Sequence, residues 1–385
     1  MQPILAACRG FSCPQEGVDE DVMSHLAAEY GRQYVGRFIE RHRAGLDRCG
    51  PGLSAFLGGW LAPHKDFDDF WDPAIADARS EVLRTTPSRV SRVAAALACR
   101  LSASGEPGEW SVALRSPVRL RWGRWVLPPA DRIRVKSDGR RAVVQTRCNG
   151  VLVDNIFLRS GLDWATKGAR PLPAVTARKH RVIMLLGNAV ETLHVAGDVP
   201  RPSRQTAKAI VRASGNALAL IRRHAPVYLP WVDRVIRGVI PVHSTLSTIR
   251  SGSDFNRPGV IHLSFPARTF ALAEMFVHEA SHQYFQIAYR LSDLHDGSDR
   301  TLYYSPVRRT GRPIDKILLA YHAFANVLLF YRAYGAEGRA HLASCRHNEA
   351  ELLPQLEQLE TALRKSPALT PAGRALWQPL ARRIH

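Results

Sequence analysis

His278, Glu279 and His282 stand in the order H-E-x-x-H within Phe276-Val277-His278-Glu279-Ala280-Ser281-His282-Gln283. On a helix, residues four apart lie on one face a single turn apart, so two imidazole nitrogens can reach one ion. Glu279 stands beside them, placed to accept a proton or to orient a ligand. Histidine and glutamate also occur on helices for solubility alone, so the setting decides. Phe270, Ala273, Phe276, Val277, Ala280, Tyr284 and Ile287 recur at helical spacing, which predicts a packed helix from about Thr269 to Arg290.

A catalytic metal needs a third protein ligand and open coordination positions. The longer H-E-x-x-H-x-x-G-x-x-H form is absent, because Gln283-Tyr284-Phe285-Gln286-Ile287-Ala288 follows His282. The next glutamate after Glu279 is Glu337, far downstream. His322 is the best candidate, since it falls in an apolar helical stretch from Ile314 to Tyr334 where an unpaired imidazole would be costly. A core histidine bonded to a backbone carbonyl is the other reading of His322.

Stepping along the chain, Met23, Leu26, Ala27, Tyr30, Tyr34, Phe38 and Ile39 predict a helix over Asp19 to Leu46, stopped by Gly50-Pro51-Gly52. Further helical stretches at Phe56 to Trp60, Pro73 to Leu83 and Ala94 to Leu97 make the first hundred residues mainly helical. Trp110 to Leu158 alternates in short runs, including Val118 to Trp122, and turn signals at Ser137-Asp138-Gly139 and Asn149-Gly150 predict an antiparallel sheet. That sheet could take a peptide by strand addition or serve only as structure. Gly168 to Thr176, with Pro171 and Pro173, reads as a linker. Apolar segments follow at Val182 to Leu186 and Thr192 to Val195. Ser203 to Arg223 reads as a helix capped by Ser203, while Val235 to Val242 and Gly259 to Phe265 read as strands. Ser292 to Gly311 reads as a polar loop, and Glu349 to Leu363 as an amphipathic helix. The fold class is therefore α+β: a helical N-terminal part with an antiparallel sheet over 1–175, and a mainly helical metal-binding half over 176–385 with a zincin-like H-E-x-x-H helix.

The 385 residues are 45% hydrophobic and 23% charged, the composition of a folded protein with a sizeable core. Six scattered cysteines with no C-x-x-C pair argue against a zinc knuckle, an iron–sulfur cluster or a disulfide scaffold, and a reducing cytoplasm fits. The start has no basic, apolar signal pattern, and the run Ile317 to Phe330 is interrupted by His322 and Asn326, so no membrane span is expected. With 53 Lys and Arg against 34 Asp and Glu, the net charge of +19 favours acidic partners. The basic residues fall in no RNA- or DNA-binding motif, so nucleic acid is not among the expected partners.

The ordered set Ser251-Gly252-Ser253-Asp254, Arg257-Pro258-Gly259-Val260-Ile261-His262-Leu263-Ser264, Val277 to His282, Tyr304-Ser305-Pro306-Val307-Arg308, Arg312-Pro313-Ile314 and Tyr321-His322-Ala323-Phe324 resembles the H-E-x-x-H peptide-modification family. That family stands beside precursors of ribosomally made, post-translationally modified peptides, and its described activity is iron(II)- and 2-oxoglutarate-dependent peptide β-hydroxylation. The resemblance covers about Val242 to Gly335. It implies iron held by His278 and His282, with His322 as third ligand, and a peptide partner that the basic surface would suit if acidic. A 2-oxoglutarate carboxylate needs a cation, for which Arg312 comes first and Arg308 next. Glu279 would then orient a ligand or substrate. The alternative is a zinc metallopeptidase with the same histidines and Glu279 as general base. A non-enzymatic protein with a structural metal is a third class.

Overall fold

A computed structural model describes residues 2–18, 20–62, 73–83, 89–161, 163–167, 171–193, 201–245, 250–253, 255, 257–337 and 339–385. It is a mixed α/β fold. Helix α1 (Gln2–Gly10) is followed by the long α2 (Glu20–Cys49), the short α3 (Leu53–Leu57), α4 (Pro73–Leu83) and α5 (Val90–Ala103). Tyr30, Val35, Phe38, Ile39 and Leu46 recur on one side of α2 and are buried. The helix stops where its end meets the first sheet: a Cβ on Gly50 would sit 2.0 Å from the Ser111 carbonyl oxygen, so only glycine fits there.

The first sheet is an antiparallel meander in the order β1 (Gly108–Val118), β4 (Ala130–Ser137), β5 (Arg141–Cys148), β6 (Val151–Ser160), β7 (Asp163–Thr166), with the hairpin of β2 (Arg121–Trp122) and β3 (Trp125–Val126) beside it. Both turns legible in the sequence form. Asp138 Oδ1 accepts from the amides of Arg140 and Arg141, and Asn149 and Gly150 both take positive φ, 50° and 82°. Helix α5 covers the inner face, where the Trp110 indole donates to Ser102 Oγ at 3.0 Å and that of Trp164 to the Ala103 carbonyl at 2.8 Å.

The second sheet runs in the order β11 (Ser251–Ser253), β12 (Val260–Phe265), β10 (Gly238–His243), β9 (Arg181–Met184), β8 (Ala174–Thr176). Its three central strands are parallel and its two edge strands antiparallel. Helices α6 (Ala207–His224) and α7 (Tyr228–Val235) lead into α8 (Thr269–Leu291), which lies against β11 and β12. A hairpin of β13 (Tyr303–Ser305) and β14 (Thr310–Arg312) then delivers the chain to α9 (Ile314–Glu337), which packs along α8; α10 (Arg339–Lys365) and α11 (Pro371–Ile384) follow. Among the described residues one helix, Ile314–Ala336, is long and apolar enough to cross a membrane, and most of it is buried inside the protein. All six cysteines are free.

Several elements differ from the sequence expectation. The linker expected over Gly168 to Thr176 includes strand β8, while 168–170 lie outside the described residues, as do 194 and 195 of the next apolar segment. The run expected as one strand over Val118 to Trp122 is split, with β1 ending at Val118 and β2 holding only Arg121 and Trp122. The helix expected from Ser203 begins at Ala207. Ser203 Oγ is engaged by the Phe265 carbonyl and the Gln205 amide, and Thr206 Oγ1 is the cap, accepting from Ala209 at 3.2 Å. Val235 closes α7, since Leu229, Val232 and Val235 also fit helical spacing, and the strand starts at Gly238. The polar loop is ordered into a hairpin: Asp299 Oδ2 accepts from Tyr303 Oη at 2.7 Å and Ser366 Oγ at 2.6 Å. Finally, residues 2–16 lie on the C-terminal helices, with α1 against α11 and Glu16 paired to Arg383 at 2.9 Å.

Candidate metal centre

Helix α8 is fixed from three sides before it presents any chemistry. The Gly259 amide donates to Gln283 Oε1 at 2.9 Å, tying α8 to the start of β12. Tyr284 stacks on Trp231 at 3.6 Å between ring centroids, tying it to α7. On its remaining flank α8 packs along α9. A site on a helix held this way keeps its geometry without help from a loop.

One ligand atom from each of His278, Glu279 and His282 lies within 4.8 Å of the others. The two imidazoles meet edge to face at 4.6 Å, and Phe324 of α9 flanks His278 at 5.0 Å. The rings sit deep among protein atoms yet keep part of their surface open. Burial pushes His278 down to about 4, and His282 well below its ordinary range, with His278, His322 and Arg308 adding to the effect of burial. Both rings are therefore neutral near pH 7, the form that binds metal. Glu279 goes the other way. Burial pushes its carboxyl up to about 7, against hydrogen bonds from Ser251 and Ser253, the latter at 2.6 Å. Strand β11 thus supplies two hydroxyls to the carboxylate that the motif supplies.

His322 is fully buried in α9. Its Nε2 lies 2.8 Å from the Phe11 carbonyl oxygen, which can only accept, so Nε2 carries the proton and Nδ1 the lone pair. Among the described residues that Nδ1 has no hydrogen-bond partner, nor has Nδ1 of His282. The carbonyls of Phe11, Ser12 and Ser281 surround the ring, which places it beside the turn of α8 that carries His282. It stands outside the group of three whose ligand atoms converge. A ring nitrogen donating to a backbone carbonyl while the other is unpartnered is the arrangement metal-binding histidines use. The converging trio and the two orphaned nitrogens fit a divalent metal.

The two arginines differ. Arg308, exposed in the turn between β13 and β14, is near enough for its charge to act on His282. Arg312, on β14, is paired through its backbone with Tyr303 of β13. Among the described residues, neither guanidinium has an ion pair. His262, part of the motif set in the sequence, pairs with Gly252 and approaches Arg257 at 3.5 Å, on the opposite face of the sheet from Ser251 and Ser253. Sequence reasoning assigned no role to Ser251, Ser253 or the Phe11 and Ser12 carbonyls. The two serines stand at alternate positions of a strand, which is a signal for a shared face. The carbonyls carry no side-chain signal at all.

These titrations oppose one another in their effect on stability. An unfolded chain protonates histidine near 6.5, whereas folded His278 and His322 wait until about 4, so their contribution is intact above 6.5 and lost as pH falls toward 4. Glu279 ionises near 4.5 when unfolded and about 7 when folded, so it costs stability as pH rises through that window. Three histidines against one glutamate leave the histidines dominant. The metal-free protein is expected to lose thermal stability on acidification from pH 6.5 to 4. Unfolding midpoints measured across that range with a chelator present would show it, and a flat profile would contradict it.

Comparison with family models and with curated proteins finds no match for this chain.

Proposed function

We propose that the protein is an iron(II)- and 2-oxoglutarate-dependent hydroxylase that modifies a side-chain β-carbon of a ribosomally made precursor peptide. The observation that carries this reading is Arg308: exposed in the turn between β13 and β14, with no ion pair among the described residues and near enough for its charge to act on His282, its guanidinium suits the carboxylate of a 2-oxo acid beside the metal. His278 and His282 would hold the iron, with His322 as the third ligand. When bound, iron and 2-oxoglutarate supply with oxygen the oxidant that removes hydrogen from the peptide. The chain's own residues do the rest. Ser251 and Ser253 fix the Glu279 carboxyl, which orients a ligand or the substrate by hydrogen bonds. Arg308, with Arg312 the second choice, anchors the co-substrate. An acidic peptide suits the charge of +19, and free cysteines suit a reducing cytoplasm.

Anaerobic addition of iron(II) and then 2-oxoglutarate is expected to produce the visible charge-transfer band of a chelated iron–oxo acid complex. Arg308→Ala should lose it while keeping the metal. A second reading, a zinc metallopeptidase, has its own support in Glu279, whose carboxyl at about 7 is poised to take a proton from a metal-bound water. No band, together with zinc-dependent peptide cleavage lost in Glu279→Gln, would replace the first reading with the second.

A further inference from the structure

Strand β6 is paired along its whole length with β5, from Arg141↔Leu158 to Cys148↔Val151. On its other side β7 pairs only with Phe157 to Ser160. The backbone of Val151 to Ile156 is therefore an open edge among the described residues. It is also strongly apolar: Val151, Leu152, Val153 and Ile156 are between 39% and 65% exposed, and Leu158 is 57% exposed. Val151 and Val153 lie on one face, Leu152, Ile156 and Leu158 on the other, so both faces of the edge are greasy. Folds protect such an edge with proline, lysine or a bulge. Here Asp154 is the only charge between Val151 and Ile156.

The surroundings select the kind of chain that could add to it. On the face that shows Leu152 and Ile156, neighbouring strands display Arg132, Arg134, Lys136, Arg141 and Arg147 in register, and although Arg134 pairs with Glu109 and Arg147 with Asp131, basic groups still outnumber Glu109, Asp131 and Asp154 there. Exposed Lys167 follows directly on β7, where the open edge begins. A second copy of this chain would bring the same basic face and another +19 to the contact. An acidic chain would meet attraction instead.

We propose that the open edge of β6, Val151 to Ile156, is a docking site for an extended acidic peptide segment, which adds to the sheet as its next strand. Backbone hydrogen bonds would supply affinity, with acidic side chains at every second position turned toward the basic face and the apolar ones between them falling beside Val151 and Val153 on the other. Asp154 sets the register, since the residue facing it must be neutral or basic. The proposal rests on strand geometry and charge and does not need the metal chemistry.

The test uses the full-length metal-free protein and a short fluorescent peptide alternating glutamate and valine, with glutamine in place of the central glutamate to face Asp154, and a lysine–valine peptide as control. Anisotropy should report binding of the acidic peptide alone, weakening as salt is raised. Hydrogen exchange should slow at amides of Val151 to Ile156 by about tenfold or more. Ile156→Asp, at a side chain already exposed, should weaken binding by about tenfold. Equal binding of both peptides, protection elsewhere in the chain, or protection that grows with protein concentration in the absence of peptide would overturn the proposal, the last by showing a second copy on the edge. Because the exchange measurement is made on the unaltered protein, it decides the matter even if the variant folds poorly.

Discussion

Replacing His282 with alanine is expected to give a folded protein that no longer holds metal. Its ring keeps part of its surface open and is engaged mainly with its partner His278, so truncation leaves no large sealed cavity. The effect on the ion is larger than on the fold. Two neutral imidazoles a turn apart are the minimum that pins a metal to α8, and removing one leaves a lone histidine beside a carboxyl. Metal affinity should fall by well over a hundredfold, since even changes in groups that only orient ligands cost about 10–100-fold. Metal analysis after reconstitution with iron(II) or zinc should read about one ion per chain in the unaltered protein and close to none in His282→Ala or His278→Ala. His262→Ala, on the other face of the sheet, should retain the ion. Retention in His282→Ala would move the metal away from the motif.

His322→Ala should be costly in two separable ways. The imidazole is fully buried, so its removal opens a cavity and leaves the Phe11 carbonyl without its donor, a loss of about 3 kcal/mol. Neighbouring bonds would not make it up. Asn326 Nδ2 already serves the Ser12 carbonyl at 2.8 Å, and Tyr228 Oη donates to the Asn326 carbonyl at 2.9 Å. A drop in Tm of about 5 °C or more follows. The second loss is of metal, through the unpartnered Nδ1. His322→Gln separates the two, because glutamine retains an N–H for Phe11 but has no imidazole lone pair. Stability should partly return in that variant while metal binding does not. Wild-type metal content in folded His322→Gln would take His322 out of the ligand set and leave it a structural residue.

What the sequence made legible was what repeats locally. The motif helix was expected from Thr269 to Arg290 and runs to Leu291, because seven apolar residues mark one face of it. Asn149-Gly150 announced its turn through residues suited to positive φ. Beyond that range the signal fades. The hairpin at 303–305 and 310–312 has strands of three residues, too short for a period, and depends on Asp299 gathering Tyr303 and Ser366. The pairing of β10 with β9 and β12 was hidden for a related reason. Strands covered on both faces show an unbroken apolar run, which says nothing about neighbours or direction. At the site, the motif named His278, Glu279 and His282, but Ser253 could be joined to Glu279 only by pairing β11 with β12 and laying α8 across both. The sequence placed Arg312 ahead of Arg308, and it carried no signal that the turn between β13 and β14 would bring the charge of Arg308 near His282.

The bond from His322 to Phe11 spans 311 positions, and Asn326 reaches Ser12 across 314. During synthesis, the segment that closes the floor beneath α8 emerges long before the helix that grips it. Until α9 has left the ribosome, the carbonyls of Phe11 and Ser12 lack the His322 and Asn326 side chains that donate to them in the fold. Closure of that floor is therefore a late event in the life of the nascent chain. Contacts of such long sequence separation are slow to form, which makes their arrival a timer on competence: a polypeptide can carry a complete H-E-x-x-H helix and still lack the bed on which it rests.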